Sequence, residues 1–274
     1  MTAADPAAAT SDLDTPYALS EEQVARYRRD GFIKLKEVLS PTTLARYGAE
    51  ITAQVQALNR LQKPMAERTT YQRAFLQVMN VWQHSALVRE FVWSRRLAGI
   101  AATLMGTRGA RLYHDQALYK EAGGGHTPWH ADQYYWPLAS DKSITVWIPL
   151  QAVPSAMGPL AFAAGSHRVA FGRDLEISDE SEATLGRTLK DFPIEESPFA
   201  LGEVSFHAGW TFHRAGSNRS EAPRAVMTMI YLDSEMRLAA PKNTNQKNDW
   251  ATWMPGAQIG ELVATRLNPL LYGA

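Results

Sequence analysis

The 274-residue sequence contains no cysteine. Without thiols there is no disulfide framework and no thiolate metal site, so a bound metal would have to be held by imidazole or oxygen ligands. Net charge is missing too. The 28 Lys and Arg balance 28 Asp and Glu, which removes the global basic field that draws nucleic acid or an anionic membrane. No apolar run approaches the roughly 20 residues that span a bilayer, and the first sixteen residues have neither the basic nor the apolar stretch of a secretory signal. Internal repeats, heptad arrays and low-complexity tracts are absent, which excludes solenoids and coiled coils. What is left is a globular chain, 45% hydrophobic and 20% charged, expected in a reducing compartment, the cytoplasm.

Residues 1–18, rich in Ala, Thr, Ser, Asp and Pro, are expected to form a flexible tail, and 19–274 a single domain. Ser20 with Gln23 forms a capping-box pattern that opens a helix, and Asp30-Gly31 ends it. Residues 32–35 read as a strand. Ser40-Pro41 starts a second helix whose Leu44, Tyr47, Ile51, Val55 and Leu58 make one apolar stripe. A third runs over 94–105 and stops at Gly106. Beyond Gly109 the pattern changes to short β-type runs at 110–120, 130–134, 143–150, 160–163, 203–207, 211–213 and 224–232. The polar, acid-rich stretch 172–196 reads as a long insertion or lid. Helices first and a β unit second predict an α+β fold with one core.

Six of the seven histidines lie between His114 and His213, inside the β unit. His130 and Asp132 are one residue apart, so on an extended strand both side chains leave the same face. Two imidazoles and one carboxylate on one face of an ion, with the other face open, is the ligand pattern of non-haem Fe(II) oxygenases. The missing imidazole must come from a distant strand, and His213 is the choice, in a run that includes Gly202, Phe206, His207, Gly209, Gly216, Asn218 and Arg224. Gly123-Gly124-Gly125 lacks the strand, spacing and helix of a phosphate loop.

Trp129-His130-Ala131-Asp132 and the run from His213 to Arg224 together resemble the phytanoyl-CoA dioxygenase family of Fe(II)/2-oxoglutarate oxygenases. That family's pattern is His-x-Asp, a distal His some tens of residues on, and an Arg about ten further; the separations here are 213 − 132 = 81 and 224 − 213 = 11. Gly158-Pro159-Leu160 through Gly165-Ser166-His167-Arg168 resembles a third family segment lying between them, and the similarity runs from about residue 20 to 232. The resemblance implies a double-stranded β-helix, a jelly-roll or cupin-like barrel, with the N-terminal helices packed on one sheet. It also implies Fe(II), 2-oxoglutarate as co-substrate, and O₂. His130, Asp132 and His213 would be the iron ligands and the catalytic centre. Arg224 would hold the distal carboxylate of the co-substrate, its planar guanidinium matching a carboxylate bidentately. Gln116 and His114 would sit near the metal-binding end of the co-substrate, and Trp147 would border it. One departure is Ala215, where the family often has a co-substrate-binding Ser; this places more weight on Arg224.

A three-ligand set has no place for His126 or His207, which are expected to touch substrate or support the ligands. Trp129, Tyr134, Tyr135, Trp136 and Trp210 are either core aromatics or a substrate wall, and His167 is expected to order a loop. The implied reaction is hydroxylation of an unactivated C–H bond in a small molecule, a secondary or specialised metabolite. The carboxylate ligand disfavours halogenation, whereas desaturation, cyclisation, epimerisation and acyl-CoA hydroxylation stay open. Two rivals are a Zn-dependent hydrolase with similar ligands and a barrel-type binding protein without catalysis, for which a broken triad or missing Arg is expected. The aromatic residues suit a small apolar or ring-bearing substrate. No pattern in the sequence reports oligomeric state.

Overall fold

The computed structural model describes residues 12–273. Helix α1 (Glu21–Asp30) starts at a complete capping box between Ser20 and Gln23 and stops at Gly31, where φ is +82°. Strand β1 (Phe32–Leu35) follows, then α2 (Pro41–Leu58), capped by the Ser40 hydroxyl. The chain continues through α3 (Thr70–Ala74), β2 (Leu76–Met79), α4 (Ala86–Val92) and α5 (Arg95–Met105). The β unit contains β3 (Ala110–Lys120), β4 (Thr127–His130), β5 (Ser143–Pro149) and β6 (Leu160–Ala163). After α6 (Asp179–Thr188) come β7 (Ile194–Glu196), β8 (Val204–Ala208), β9 (His213–Ala215) and β10 (Arg224–Asp233), and α7 (Thr244–Trp253) and β11 (Leu270–Tyr272) close the chain.

The strands form two antiparallel sheets. The larger has the order β1-β8-β5-β10-β3-β11, with β2 also paired to β3; the smaller has the order β4-β9-β6-β7. Strand periodicity assigns each face of the larger sheet. Ile144, Val146 and Ile148 of β5 and Met227, Met229 and Tyr231 of β10 pack outward against α2, α4 and α5, whose Leu44, Ile51, Phe91, Leu97 and Ile100 are buried in the same cluster. Fully burying one such side chain contributes about 1.5–3 kcal/mol. The alternate residues, among them Phe32, Trp147 and Val226, face the smaller sheet across the barrel interior with Phe162 and Ala215. The expected α+β barrel with N-terminal helices on one sheet is therefore the observed architecture. Among the described residues, no helix is long and apolar enough to cross a membrane.

Four expectations change. The tail was placed at 1–18, of which 1–11 lie outside the described residues. Residues 12–18 are not a loose tail: Leu13 is 2% exposed in the core, the Asp12 carboxylate accepts from the Ser40 amide and Thr43 hydroxyl, and Arg96 donates to the Thr15 carbonyl. The strand expected over 130–134 ends at His130, because the amides of Tyr134 and Trp136 turn back to the carbonyls of Ala131 and Gln133 and close a 3₁₀ turn. The strand expected over 211–213 starts only at His213, since the Thr211 amide is taken by the Ala208 carbonyl in a turn. The 172–196 insertion carries α6, capped by Ser178, and β7; its polar composition hid a helix that buries only Ser181 and Leu185.

Candidate active site

His130 closes β4 and His213 opens β9, and the two stand opposite each other in the strand register. Asp132 follows after one extended residue, Ala131, with φ −123° and ψ 130°. The strand-like spacing therefore survives the end of β4. Asp132 Oδ1 lies 3.6 Å from His130 Nε2 and 3.7 Å from His213 Nε2, and one ligand atom from each residue falls within 4.8 Å of the others. Nδ1–H of His130 donates to the Pro128 carbonyl at 2.7 Å, and that of His213 to the Thr211 carbonyl at 3.0 Å. A carbonyl can only accept, so each bond fixes the tautomer that leaves Nε2 with a free lone pair. Asp132 Oδ2 accepts from the Thr145 hydroxyl at 2.8 Å and from His207 Nε2–H at 3.1 Å. These two donors occupy one carboxylate oxygen and leave Oδ1 facing the imidazoles. Burial opposes ionisation of Asp132, yet His213, His130 and His207 hold it well below the usual carboxylate range. Burial, together with His130 and His207, also pushes His213 well below an ordinary imidazole, which favours the neutral ring.

A second polar centre lies at the start of β10. Arg224 is 1% exposed, and burial pushes its guanidinium down to about 9. Its Nη1–H donates to the Gly158 carbonyl, its Nε is buried without a partner, and among the described residues it has no carboxylate within ion-pair distance. Gly158 has φ +67°, and a Cβ there would lie 2.1 Å from the Gly216 carbonyl oxygen; only glycine fits this approach. The cross-strand partner of Arg224 is Lys120, itself fully buried and donating to the Gly125 carbonyl. Burial and the neighbouring Arg224 push the Lys120 ammonium down to about 6, which favours its neutral amine, so Arg224 is the buried cation whose missing counter-ion makes a place for an anion.

One cavity of about 540 Å³ joins these centres. The three candidate ligands, Arg224, Gln116, His114 and Trp147 all line it. Thr228 sits in register between Gln116 and Trp147 and donates to the Gln116 carbonyl at 3.1 Å, while the Gln116 side chain accepts from Gln77 at 2.5 Å. The Trp147 ring lies 5.3 Å from the Arg224 guanidinium.

A family model described as phytanoyl-CoA dioxygenase (PhyH) matches residues 27–226. The chain belongs to the phytanoyl-CoA dioxygenase family. It is an Fe(II)/2-oxoglutarate-dependent dioxygenase of that family. The ectoine dioxygenase of Bordetella parapertussis is 27% identical over 248 residues, covering 82% of this chain and 79% of that protein. The carbocyclase SnoK from nogalamycin biosynthesis superimposes with a TM-score of 0.76 at 25% identity, over 93% of this chain and 99% of that one. The epimerase SnoN in complex with Fe³⁺, α-ketoglutarate and nogalamycin RO gives 0.76 at 26% identity, over 92% and 98%.

Of the residues expected at the substrate, Tyr135, Trp136 and His207 line the cavity of this dioxygenase, and His126, Trp129, Tyr134 and Trp210 do not. Trp129 precedes His130 on a strand, so its ring leaves the opposite face, where it packs with Leu185 and Phe212 under the Arg214 guanidinium. Trp210 stacks beneath Arg173. The Tyr134 hydroxyl accepts from Asn245, and His126 borders a separate surface recess with Glu182, Glu196 and Arg214. Sequence reasoning missed Tyr71, Gln77, Thr145, Glu176, Ile177, Thr228, Asn245, Asp249 and Trp253, all of which line the cavity. Thr145 and Thr228 carried a readable signal, since each shares an inward face with an expected residue two or four positions away. The others come from elements that carry no motif.

Proposed function

We propose that this dioxygenase hydroxylates an unactivated C–H bond of a small-molecule substrate, and that it does so in a specialised pathway in the cytoplasm. The observation that carries the reading is one cavity holding both a 2-His-1-carboxylate cluster with its lone pairs turned inward and a buried arginine without a counter-ion. The donor set fits a non-haem Fe(II) ion, because three nitrogen and oxygen donors from one side leave other coordination positions open. The orphaned Nε of Arg224 fits a dicarboxylate, whose far end would complete the guanidinium's hydrogen bonds. His130, Asp132 and His213 would hold the ion; Arg224, Thr228 and Gln116 would position the co-substrate. Iron with 2-oxoglutarate supplies oxidation by O₂, so that R–H, 2-oxoglutarate and O₂ become R–OH, succinate and CO₂.

The protein's own part is placement. His207 and Thr145 pin Asp132 so that one oxygen stays available. Trp147 closes the wall beside Arg224, and Tyr135 and Trp136 narrow the outer cavity, keeping water away from the reacting carbon. A second reading, ring closure or inversion at carbon, is favoured by the similarity to SnoK and SnoN. The test is succinate release from 2-oxoglutarate under air without added substrate, compared with Asp132→Ala. Wild-type enzyme is expected to release succinate only with Fe(II), and the variant to release none; Fe(II)-independent turnover, or none at all, would sink the reading. With a substrate in hand, mass spectrometry separates the outcomes: one oxygen gained for hydroxylation, two hydrogens lost for ring closure, no change for inversion.

A further inference from the structure

The outer end of the cavity carries two carboxyl groups that nothing in the chemistry above uses. Asp249, on α7, and Glu176, in the segment before α6, both line the cavity. Asp249 Oδ2 accepts from the Tyr113 hydroxyl at 2.8 Å, and Glu176 Oε2 accepts from Asn245 at 3.0 Å. Neither carboxylate has a cationic partner within ion-pair distance among the described residues, whereas nine contacts of Lys or Arg with a carboxylate are made elsewhere in the fold.

This end lies far from Arg224. Tyr113 and Lys120, the register partner of Arg224, are seven positions apart on β3, roughly 23 Å of extended chain. Among the described residues, the only arginine or lysine lining the cavity is Arg224. A register shift between Ile230 and Tyr231 leaves Tyr113 as an extra residue in β3, a β-bulge. The bulge brings consecutive rings, Tyr113 and His114, to the same interior region. Tyr113 meets Trp136 edge-on at 5.6 Å and His114 meets Trp253 at 5.4 Å. His114 is 4% exposed and lines the cavity, yet its Nδ1 is buried without a hydrogen-bond partner. An orphaned buried nitrogen in the same cavity as two carboxyls without a cationic partner is unexplained by the protein alone.

Resting on the dioxygenase reading, we propose that Asp249, Glu176 and the aromatic rings around them form a subsite for an organic cation, so that the substrate is an amine or amidinium. Carboxylates give such a cation charge-assisted hydrogen bonds, and the faces of Tyr71, Trp136 and Trp253 offer cation–π contact. The open Nδ1 of His114 accepts a hydrogen bond from the same nitrogen group or a neighbouring hydroxyl. Burial has pushed the Asp249 carboxyl up to about 7, and a cation beside it would draw that value down again. An anionic substrate such as a phosphonate or carboxylate would meet only repulsion here.

The test uses the full-length enzyme loaded anaerobically with Fe(II) and 2-oxoglutarate, titrated calorimetrically with three probes of similar shape: benzamidine, benzyl alcohol and benzoate. Benzamidine is expected to bind at least tenfold more tightly than either of the others, with roughly tenfold loss in Asp249→Asn and a smaller loss in Glu176→Gln. Equal binding of benzoate, or full benzamidine affinity in both variants, would overturn the proposal. Should Asp249→Asn fail to fold, the wild-type probe ranking and Glu176→Gln still decide. Succinate release by the wild-type enzyme is measured alongside and reports on the dioxygenase reading alone, so either conclusion can fall without the other.

Discussion

The two ends of the cavity are built differently. The inner end, with Arg224, Thr228, Trp147 and Gln116, stands on three adjacent strands of one sheet, β3, β10 and β5, locked by ladder hydrogen bonds. The outer end is assembled from α3, the segment before α6, the turn after Asp132, and α7. Strands hold a side chain to a fixed face and spacing, so the groups proposed to meet the diacid sit there, while two of the proposed iron ligands, His130 and His213, stand on strands of the facing sheet. Helix ends and connecting segments can change without disturbing the ladder, so groups that choose the substrate sit on them. One scaffold can thus keep its oxidative chemistry and exchange its substrates.

Changes at the inner end should be costly for cofactor handling. Arg224→Ala removes the only guanidinium lining the cavity among the described residues, and charge-assisted hydrogen bonds are worth about 1.5–3 kcal/mol each; 2-oxoglutarate affinity measured by calorimetry should fall on the order of 100-fold, with Fe(II) binding retained. His207→Phe keeps an aromatic ring of similar size but removes the donor to Asp132 Oδ2. Supporting partners of this kind are worth about 10–100-fold in metal affinity, so Fe(II) binding should weaken by at least roughly tenfold in an equilibrium competition assay. An unchanged affinity would reduce His207 to a packing residue. At the outer end the effect should be smaller and of another kind. Ser178→Ala deletes the α6 cap, which accepts from the Ser181 amide, and costs about 1 kcal/mol. Because α6 docks through Glu182 onto the Trp129 amide and Ser181 onto the Trp129 carbonyl, faster hydrogen exchange should be confined to 172–190. Exchange spreading into β5 and β10 would erase the distinction between the two ends.

The same division decides how much was legible in the sequence. His130, Asp132, His213 and Arg224 could be read because strand alternation and the demands of an ion and a diacid restrict both residue type and spacing. The long strands 110–120 and 224–232 matched the structure to within one residue for the same reason. Asp249, Glu176 and Tyr71 could not be read, since they meet only through tertiary packing and no local period announces them. Trp129 is instructive, because of the two readings open for it, core aromatic or substrate wall, the structure places it in the core. Proximity to His130 in sequence suggested proximity to the substrate, yet on a strand the immediate neighbour is the one residue sure to face away. The polar α6 was missed because its sequence lacks the apolar stripe by which helices are recognised; side-chain-to-backbone bonds to Trp129 hold it there instead.

Gly158 does not line the cavity, yet among the described residues its carbonyl is the one protein acceptor bonded to Arg224, and its missing side chain lets its Cα pack against the Gly216 carbonyl. On the co-substrate role proposed for Arg224, heritable loss of co-substrate binding can therefore arise at a position outside the proposed iron and 2-oxoglutarate contacts. Any side chain there must push the Gly216 segment away or drag the turn with it, and the guanidinium loses its anchor either way. A screen for inactive variants should find position 158 as intolerant as the metal ligands themselves, and a survey confined to residues in contact with bound molecules would overlook it.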